Sequence, residues 1–207
     1  MTSSSRREFI QLSGKTILLS LLPFPLTTFA MHNTETNNNS FEVIIVGGSY
    51  AGLAAAMALG RAVKKTLVID NGKPCNRQTP HSHNFLTNDG KTPSEISATA
   101  KEQVSKYDAV HFLNDTAINA KKIGSEFQVQ VTGGEIFTAK KIIFATGIRD
   151  LFPPIEGFSE CWGISVLHCP YCHGYEIRNV KTGILANDST GFEFAKLISN
   201  WTKDLTV

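Results

Sequence analysis

Between Val43 and Asp70 the hydrophobic pattern changes period twice. "VIIV", residues 43–46, is an unbroken β-branched run, as a parallel strand buried on both faces requires. Ala-rich residues 51–58 favour a helix and let it lie close to a sheet. Leu67 to Ile69 is a second apolar run, ending at Asp70. The pattern predicts a βαβ unit. Thr92-Pro93-Ser94-Glu95 is a capping box with proline at the first helical position, opening a helix to about Lys106. Val110 to Leu113 reads as a strand, and residues 116–145 alternate as several short strands. Gly133-Gly134 turns a hairpin between "FQVQV" and "EIFTAKKIIFA". A second βαβ unit is expected further on: strand Gly183 to Ala186, helix Thr190 to Trp201, strand Asp204 to Val207.

The first 30 residues follow a different rule. Arg6 and Arg7 precede an apolar stretch from Ile17 to Ala30 that contains Pro23 and Pro25 and is short for a bilayer span. Small residues Thr28 and Ala30 stand where a signal peptidase could cut. Residues 1–30 resemble a twin-arginine export signal. An ordinary signal or membrane anchor with a chance arginine pair is the alternative. Export by this route implies a protein loaded with its cofactor beforehand, in a periplasmic or membrane-associated location. Residues 31–40 are polar and read as a linker, and a start at Met31 would give a cytoplasmic form. The globular part divides into residues 41–150 and 151–207.

Of the 207 residues, 42% are apolar and 18% charged, which fits a chain with a sizeable core. A net charge of +2 gives no footprint for nucleic acid. Four cysteines are too few for a disulfide scaffold.

The turn of the first βαβ unit reads Gly47, Gly48, Ser49, Tyr50, Ala51, Gly52. Against GxGxxG, Gly47 and Gly52 hold the first and third positions, and Ser49 replaces the second glycine. Gly47 permits a tight turn and Gly52 close helix packing, while the Ser49 N–H stays free for phosphate at the helix N-terminus. Asp70 lies 18 residues after Gly52, where a carboxylate accepts ribose hydroxyls. The antiparallel strands that follow suit a flavoprotein better than a plain nicotinamide dehydrogenase.

"HCPYCHGYE", residues 168–176, sets Cys169 and Cys172 between His168 and His173. CxxC spacing allows an easily broken disulfide and can depress one thiol pKa. Two other readings remain open: a zinc site drawing on Cys161, Cys169, Cys172 and His168 or His173, and a plain structural disulfide. Cys75 and Cys161 stand alone and read as buried thiols.

The ordered set GGSYAG, Asp70, "ATG" at 145–147 and "CPYC" at 169–172 resembles the low-molecular-weight thioredoxin reductase family, including its dithiol-oxidase branch. The resemblance covers residue 41 to the last. It implies an α/β fold: an FAD-binding Rossmann-like domain with a second, NAD(P)H-type Rossmann-like domain inserted into it and carrying the redox pair. It places FAD on Gly47, Gly48, Ser49, Ala51 and Gly52, with Asp70 on the adenosine ribose. Asn84 in "HSHNFL", with Arg77 and His83, is a further implied cofactor contact, as are Ala145 and Gly147. Cys169 becomes the sulfur that exchanges with substrate and Cys172 the flavin-side sulfur. No metal is implied. His173 replaces the aspartate that most reductases of the family carry as proton donor, and an imidazole can donate or accept that proton. The implied partners are a small dithiol or disulfide, or a thioredoxin-like protein, and the implied assembly is a homodimer.

The second turn departs from the pattern. Ala186, Asn187, Asp188, Ser189, Thr190, Gly191 keep only the third glycine. A carboxylate at 188 repels a pyrophosphate, which weakens the case for NADPH. The chain ends within the expected last strand, so it reads as a C-terminally truncated piece whose activity belongs to the longer parent. Three functions are carried forward: FAD-dependent dithiol oxidation, NADPH-dependent disulfide reduction, and a non-catalytic flavin- or metal-binding redox sensor.

Overall fold

The structure is a computed structural model that describes residues 39–207. The export signal expected in residues 1–30 and most of the polar linker lie outside the described residues. Among the described residues no helix is long and apolar enough to cross a membrane.

A six-stranded sheet carries the first part. Its strands are β1 (Ser40–Val46), β2 (Thr66–Asp70), β3 (Val110–Asn114), β4 (Ala117–Ile123), β5 (Glu126–Val131) and β6 (Ile136–Phe144), in the order β3-β2-β1-β6-β5-β4. β3, β2, β1 and β6 run parallel, and β5 and β4 complete an antiparallel meander. Helices α1 (Tyr50–Arg61) and α2 (Pro93–Val104) make the two crossovers. β1 begins earlier than its apolar run because its pairing with β6 extends back to Ser40 opposite Thr138. Asn39, expected in the linker, accepts the Thr138 N–H on its carbonyl at 2.9 Å.

Both faces of β1 are covered, which explains the unbroken run. Val43 and Ile45 pack with Leu53 and Ala56 of α1, Val68 and Val104. Ile44 faces the other way and joins Leu67, Ile69, Val129, Val131 and Phe137, so the meander closes the second face. Ile44, Ile45 and Val68 are fully buried. Each such side chain stabilises the fold by about 1.5–3 kcal/mol.

The capping box forms as the sequence predicts. The Glu95 N–H donates to Thr92 Oγ1 at 3.2 Å, and the Thr92 N–H donates to Glu95 Oε2 at 2.8 Å. α2 ends at Val104, two residues short of the expected Lys106.

Beyond β6 the chain forms α3 (Phe158–Cys161), α4 (Pro170–His173), β7 (Thr182–Gly183), α5 (Asp188–Ile198) and β8 (Leu205–Thr206). β7 and β8 are parallel, so the second βαβ unit exists, with strands of two residues each rather than four. The Ile184 N–H still bonds the Thr206 carbonyl at 2.8 Å, but Leu185 and Val207 are exposed. α5 starts two residues before the expected Thr190 and ends at Ile198.

Two substitutions test this packing. Thr92→Ala removes one half of the capping box and should cost about 1 kcal/mol in urea unfolding. Gly60 lies where a Cβ would stand 2.8 Å from Tyr107 Cβ and 2.9 Å from Val110 Cγ2. Gly60→Ala gains up to about 1 kcal/mol of helix propensity but overpacks this contact by about 1–3 kcal/mol. A lowered midpoint is therefore expected.

Candidate functional site

The β1–α1 turn sits at the carboxyl ends of the parallel strands, between β2 on one side and β6 on the other. This is the switch point at which open α/β sheets bind ligands. The Gly47 N–H donates to the Ile69 carbonyl and the Ala145 N–H to the Val46 carbonyl, both at 2.8 Å. Gly47 has φ +104°, and a Cβ there would collide with the Ala145 carbonyl oxygen. A Cβ on Gly52 would collide with the Gly47 carbonyl oxygen. Gly48 has its own reason: a Cβ would stand 2.7 Å from Asp70 Cβ, and the Gly48 N–H donates to Asp70 Oδ1 at 3.0 Å.

Ser49 is the N-cap of α1, with no side-chain cap bond, and the first turn carries no acidic residue. The leading N–H groups of α1 are thus free for an anion. They open on a cavity of about 1000 Å³ lined by Gly47, Gly48, Ser49, Ala51, Asp70, Arg77, Ala145 and Gly147. Phe144, 69% exposed, gives that cavity an apolar wall. Donors, close-approach glycines, a carboxylate and an apolar wall fit a dinucleotide. Gly52 is buried beneath the turn. Asn84 and His83 do not line this cavity. Cys75 does, and it is exposed rather than buried, because the loop after β2 runs over the surface. Cys161 is half-buried.

Cys169 and Cys172 are joined as a disulfide with Cα atoms 5.3 Å apart. Cys169 precedes α4, and Pro170 occupies its first position, where a missing N–H costs nothing. Gly174 ends the helix against an aromatic floor: a Cβ there would stand 2.7 Å from Trp201 Cε2. Tyr171 meets the same indole edge-on at 5.9 Å. A second cavity, about 920 Å³, is lined by Cys169, His173, Trp201 and the 184–187 turn. Among the described residues no group of three or more His, Cys, Asp or Glu side chains is spaced to hold a metal ion.

His173 is half-buried. Burial first, then the His168 imidazole, hold its pKa below the ordinary histidine value; Glu176 opposes them and His83 adds to the fall. It is therefore a neutral imidazole at neutral pH, able to accept a proton. His168 stacks on Trp162 at 5.2 Å, and Trp162 lines both cavities. Trp162 carried no signal in the sequence beyond its aromatic type. Neither did Glu176, whose partner lies more than ninety positions away in the chain.

In the second turn Asp188 adopts φ +55°, the left-handed region that favours glycine. It is also the acidic residue in the first turn of α5. A Cβ on Gly191 would stand 3.2 Å from Val207 Cγ1, a looser fit than at Gly52, where it would meet the backbone of the turn.

The sequence profile described as pyridine nucleotide-disulphide oxidoreductase matches residues 41–207. The chain is similar to the thioredoxin reductase tcpT of Claviceps purpurea, 37% identical over 154 residues, 73% of this chain and 48% of that protein. Among solved structures it resembles the oxidoreductase from Agrobacterium tumefaciens (44% identity, TM-score 0.76, covering 79% of this chain and 56% of the other). It also resembles the putative thioredoxin reductase TrxB from Bacillus anthracis (33% identity, TM-score 0.78, 80% and 56%). The chain spans about half the length of these relatives. With its glycine cradle at a strand-order switch and its paired Cys169 and Cys172, the chain belongs to the pyridine nucleotide-disulphide oxidoreductase family, as a thioredoxin reductase-like member.

Proposed function

We propose that the protein is an FAD-dependent thiol–disulfide oxidoreductase whose working direction is dithiol oxidation. The observation that carries the chemistry is the Cys169–Cys172 disulfide, mounted on a four-residue helix beside the half-buried His173. Ser49 and Ala51 at the head of α1 would hold the pyrophosphate on free backbone donors, with Gly47, Gly48 and Gly52 giving the close approach beneath it; Asp70 would hold the ribose, and Arg77, Ala145 and Gly147 would border the remainder. Bound FAD supplies an acceptor for two electrons from the reduced Cys pair.

Cys169 receives the attack of a substrate thiolate, forming a mixed disulfide and releasing Cys172 as thiolate. The second substrate thiol then displaces Cys169, leaving an oxidised substrate and a reduced pair. His173 takes the proton of the attacking thiol onto its neutral imidazole. Substrates consistent with this chemistry are a small dithiol or the dithiol of a thioredoxin-like protein.

The direction rests on Asp188. A carboxylate at the head of α5 opposes a pyrophosphate, whereas the head of α1 has none. The second reading, NADPH-dependent disulfide reduction, is favoured by the names of the relatives, several of which are called thioredoxin reductases.

Cys172→Ser, made in the full-length protein, should abolish electron transfer from the dithiol, seen as lost flavin bleaching by a dithiol under anaerobic conditions. Bound FAD should be retained, since its cradle lies elsewhere. Loss of FAD in this variant would mean that the pair is structural.

NADPH should bind weakly. At an effective dielectric near 20 a like-charge pair at about 4 Å costs on the order of 4 kcal/mol, reduced by screening and rotation to about 1–2 kcal/mol. Replacing Ala186 and Asp188 by glycine should therefore tighten NADPH roughly tenfold or more in a fluorescence titration. Low-micromolar binding by the unsubstituted protein would replace oxidation with reduction as the working direction.

A further inference from the structure

Among the described residues Trp162 alone lines both the dinucleotide cavity and the cavity beside the disulfide. Its half-buried indole sits among three other rings. Phe152, 5.0 Å away, belongs to the lining of the dinucleotide cavity. Phe158 at 6.0 Å and His168 at 5.2 Å line the other cavity. The His168 ring lies within 16° of parallel to the indole, and the next residue is Cys169. Rings at aromatic stacking distance therefore lead from the wall of one cavity to the residue before the CxxC pair.

The backbone around the indole is pinned. The Gly163 N–H donates to the Val166 carbonyl at 2.9 Å, and the Val166 N–H to the Cys161 carbonyl at 3.0 Å. A Cβ on Gly163 would stand 3.0 Å from Thr79 Oγ1, and Gln78 Nε2 donates to the Ser159 carbonyl at 3.2 Å. Gln78 itself borders the dinucleotide cavity. With the main chain held in this way, the freedom that remains is that of the rings.

We infer that Trp162 is a positioning residue that makes the order of the dithiol segment depend on occupation of the dinucleotide cavity. The inference rests on the reading of that cavity as the FAD site. While the cavity holds only water, the indole and Phe152 have space to turn into; a seated cofactor removes that space. The restrained indole then holds the His168 ring stacked on it, and with it the main chain entering α4. The coupling is one of conformational freedom. It requires no displacement of the segment, only a narrower range of positions when the cavity is filled.

Amide hydrogen exchange of the full-length protein, stripped of FAD and reloaded, reads this coupling. Loading should slow exchange at residues 167–172 by about fivefold or more, the lower end of ordinary coupling between sites. In Trp162→Leu FAD should still bind, because the glycine cradle and Asp70 are untouched. The difference between stripped and loaded protein at 167–172 should vanish in that variant, and Trp162→Phe, which keeps a ring, should retain part of it. His168 is exposed, so His168→Ala should fold. It should lose the difference at 167–172 and keep it at 158–163. An indole with a merely structural role would raise exchange equally with and without FAD. A difference at 167–172 that survives in Trp162→Leu or His168→Ala therefore overturns the inference. So does unchanged exchange in the unsubstituted protein once flavin fluorescence shows that FAD has bound. Failure of FAD to bind at all removes the FAD reading and the inference together.

Discussion

Where β1 ends, backbone segments from three parts of the chain converge at separations that leave no room for a Cβ. Gly47 is held against the Ala145 carbonyl, Gly48 against the Asp70 side chain, and Gly52 against the Gly47 carbonyl. Each approach fixes something different. The first ties the turn to the end of β6, the second brings the Asp70 carboxylate onto the Gly48 N–H, and the third sets how closely α1 lies beneath the turn. Together they aim the free N–H groups of α1 into the cavity. The buried contacts of Leu53 and Ala56 with Val43, Ile45 and Val68 then hold the helix there. A side chain larger than hydrogen at any of the three positions would have to move backbone or the carboxylate.

The second βαβ unit has no approach this close: a Cβ on Gly191 would stand 3.2 Å from Val207 Cγ1, the end of an exposed side chain. Asp188 takes the left-handed conformation that a glycine would take freely. A left-handed residue other than glycine carries a cost of about 1–2 kcal/mol, partly relieved for Asp by its short polar side chain. One residue thus imposes a conformational cost on the turn and a negative charge at the helix head. Asp188 thus combines a glycine-like conformation with a charge that opposes an anion at this helix head. What the second unit does hold firmly is the dithiol. Trp201, just after α5, underlies Gly174 and Tyr171, and its carbonyl accepts the Asn179 N–H at 2.9 Å.

Local rules made the first unit readable. Periodicity gave β1, α1 and β2, the capping box gave the start of α2, and Gly133-Gly134 gave the turn between β5 and β6. The start of β1 was not readable, because Asn39 and Ser40 are polar and owe their place to β6, almost a hundred residues on. Of the site, the glycines and Asp70 carried a pattern with a known geometry, so their convergence could be expected. Gly48 was in the right place for a reason that the GxGxxG pattern does not contain: the approach of Asp70. Cys75 is exposed where its residue type alone predicts burial, because the loop after β2 runs over the surface. Trp162 and Glu176 depend on contacts between distant segments, and no spacing rule reports those.

The dithiol segment is mounted on two supports of unlike character. Its floor is apolar, the indole of Trp201, and tolerates little displacement because Gly174 lies directly on it. Its side is polar and long-range: Glu176 reaches His83 at 3.6 Å, beyond hydrogen-bond distance, across water-accessible surface. Such a contact contributes little to stability, since exposed ion pairs are worth about 0–1 kcal/mol. Burial, then the His168 imidazole, hold the His173 pKa below its ordinary value, with Glu176 opposing the fall and His83 adding to it.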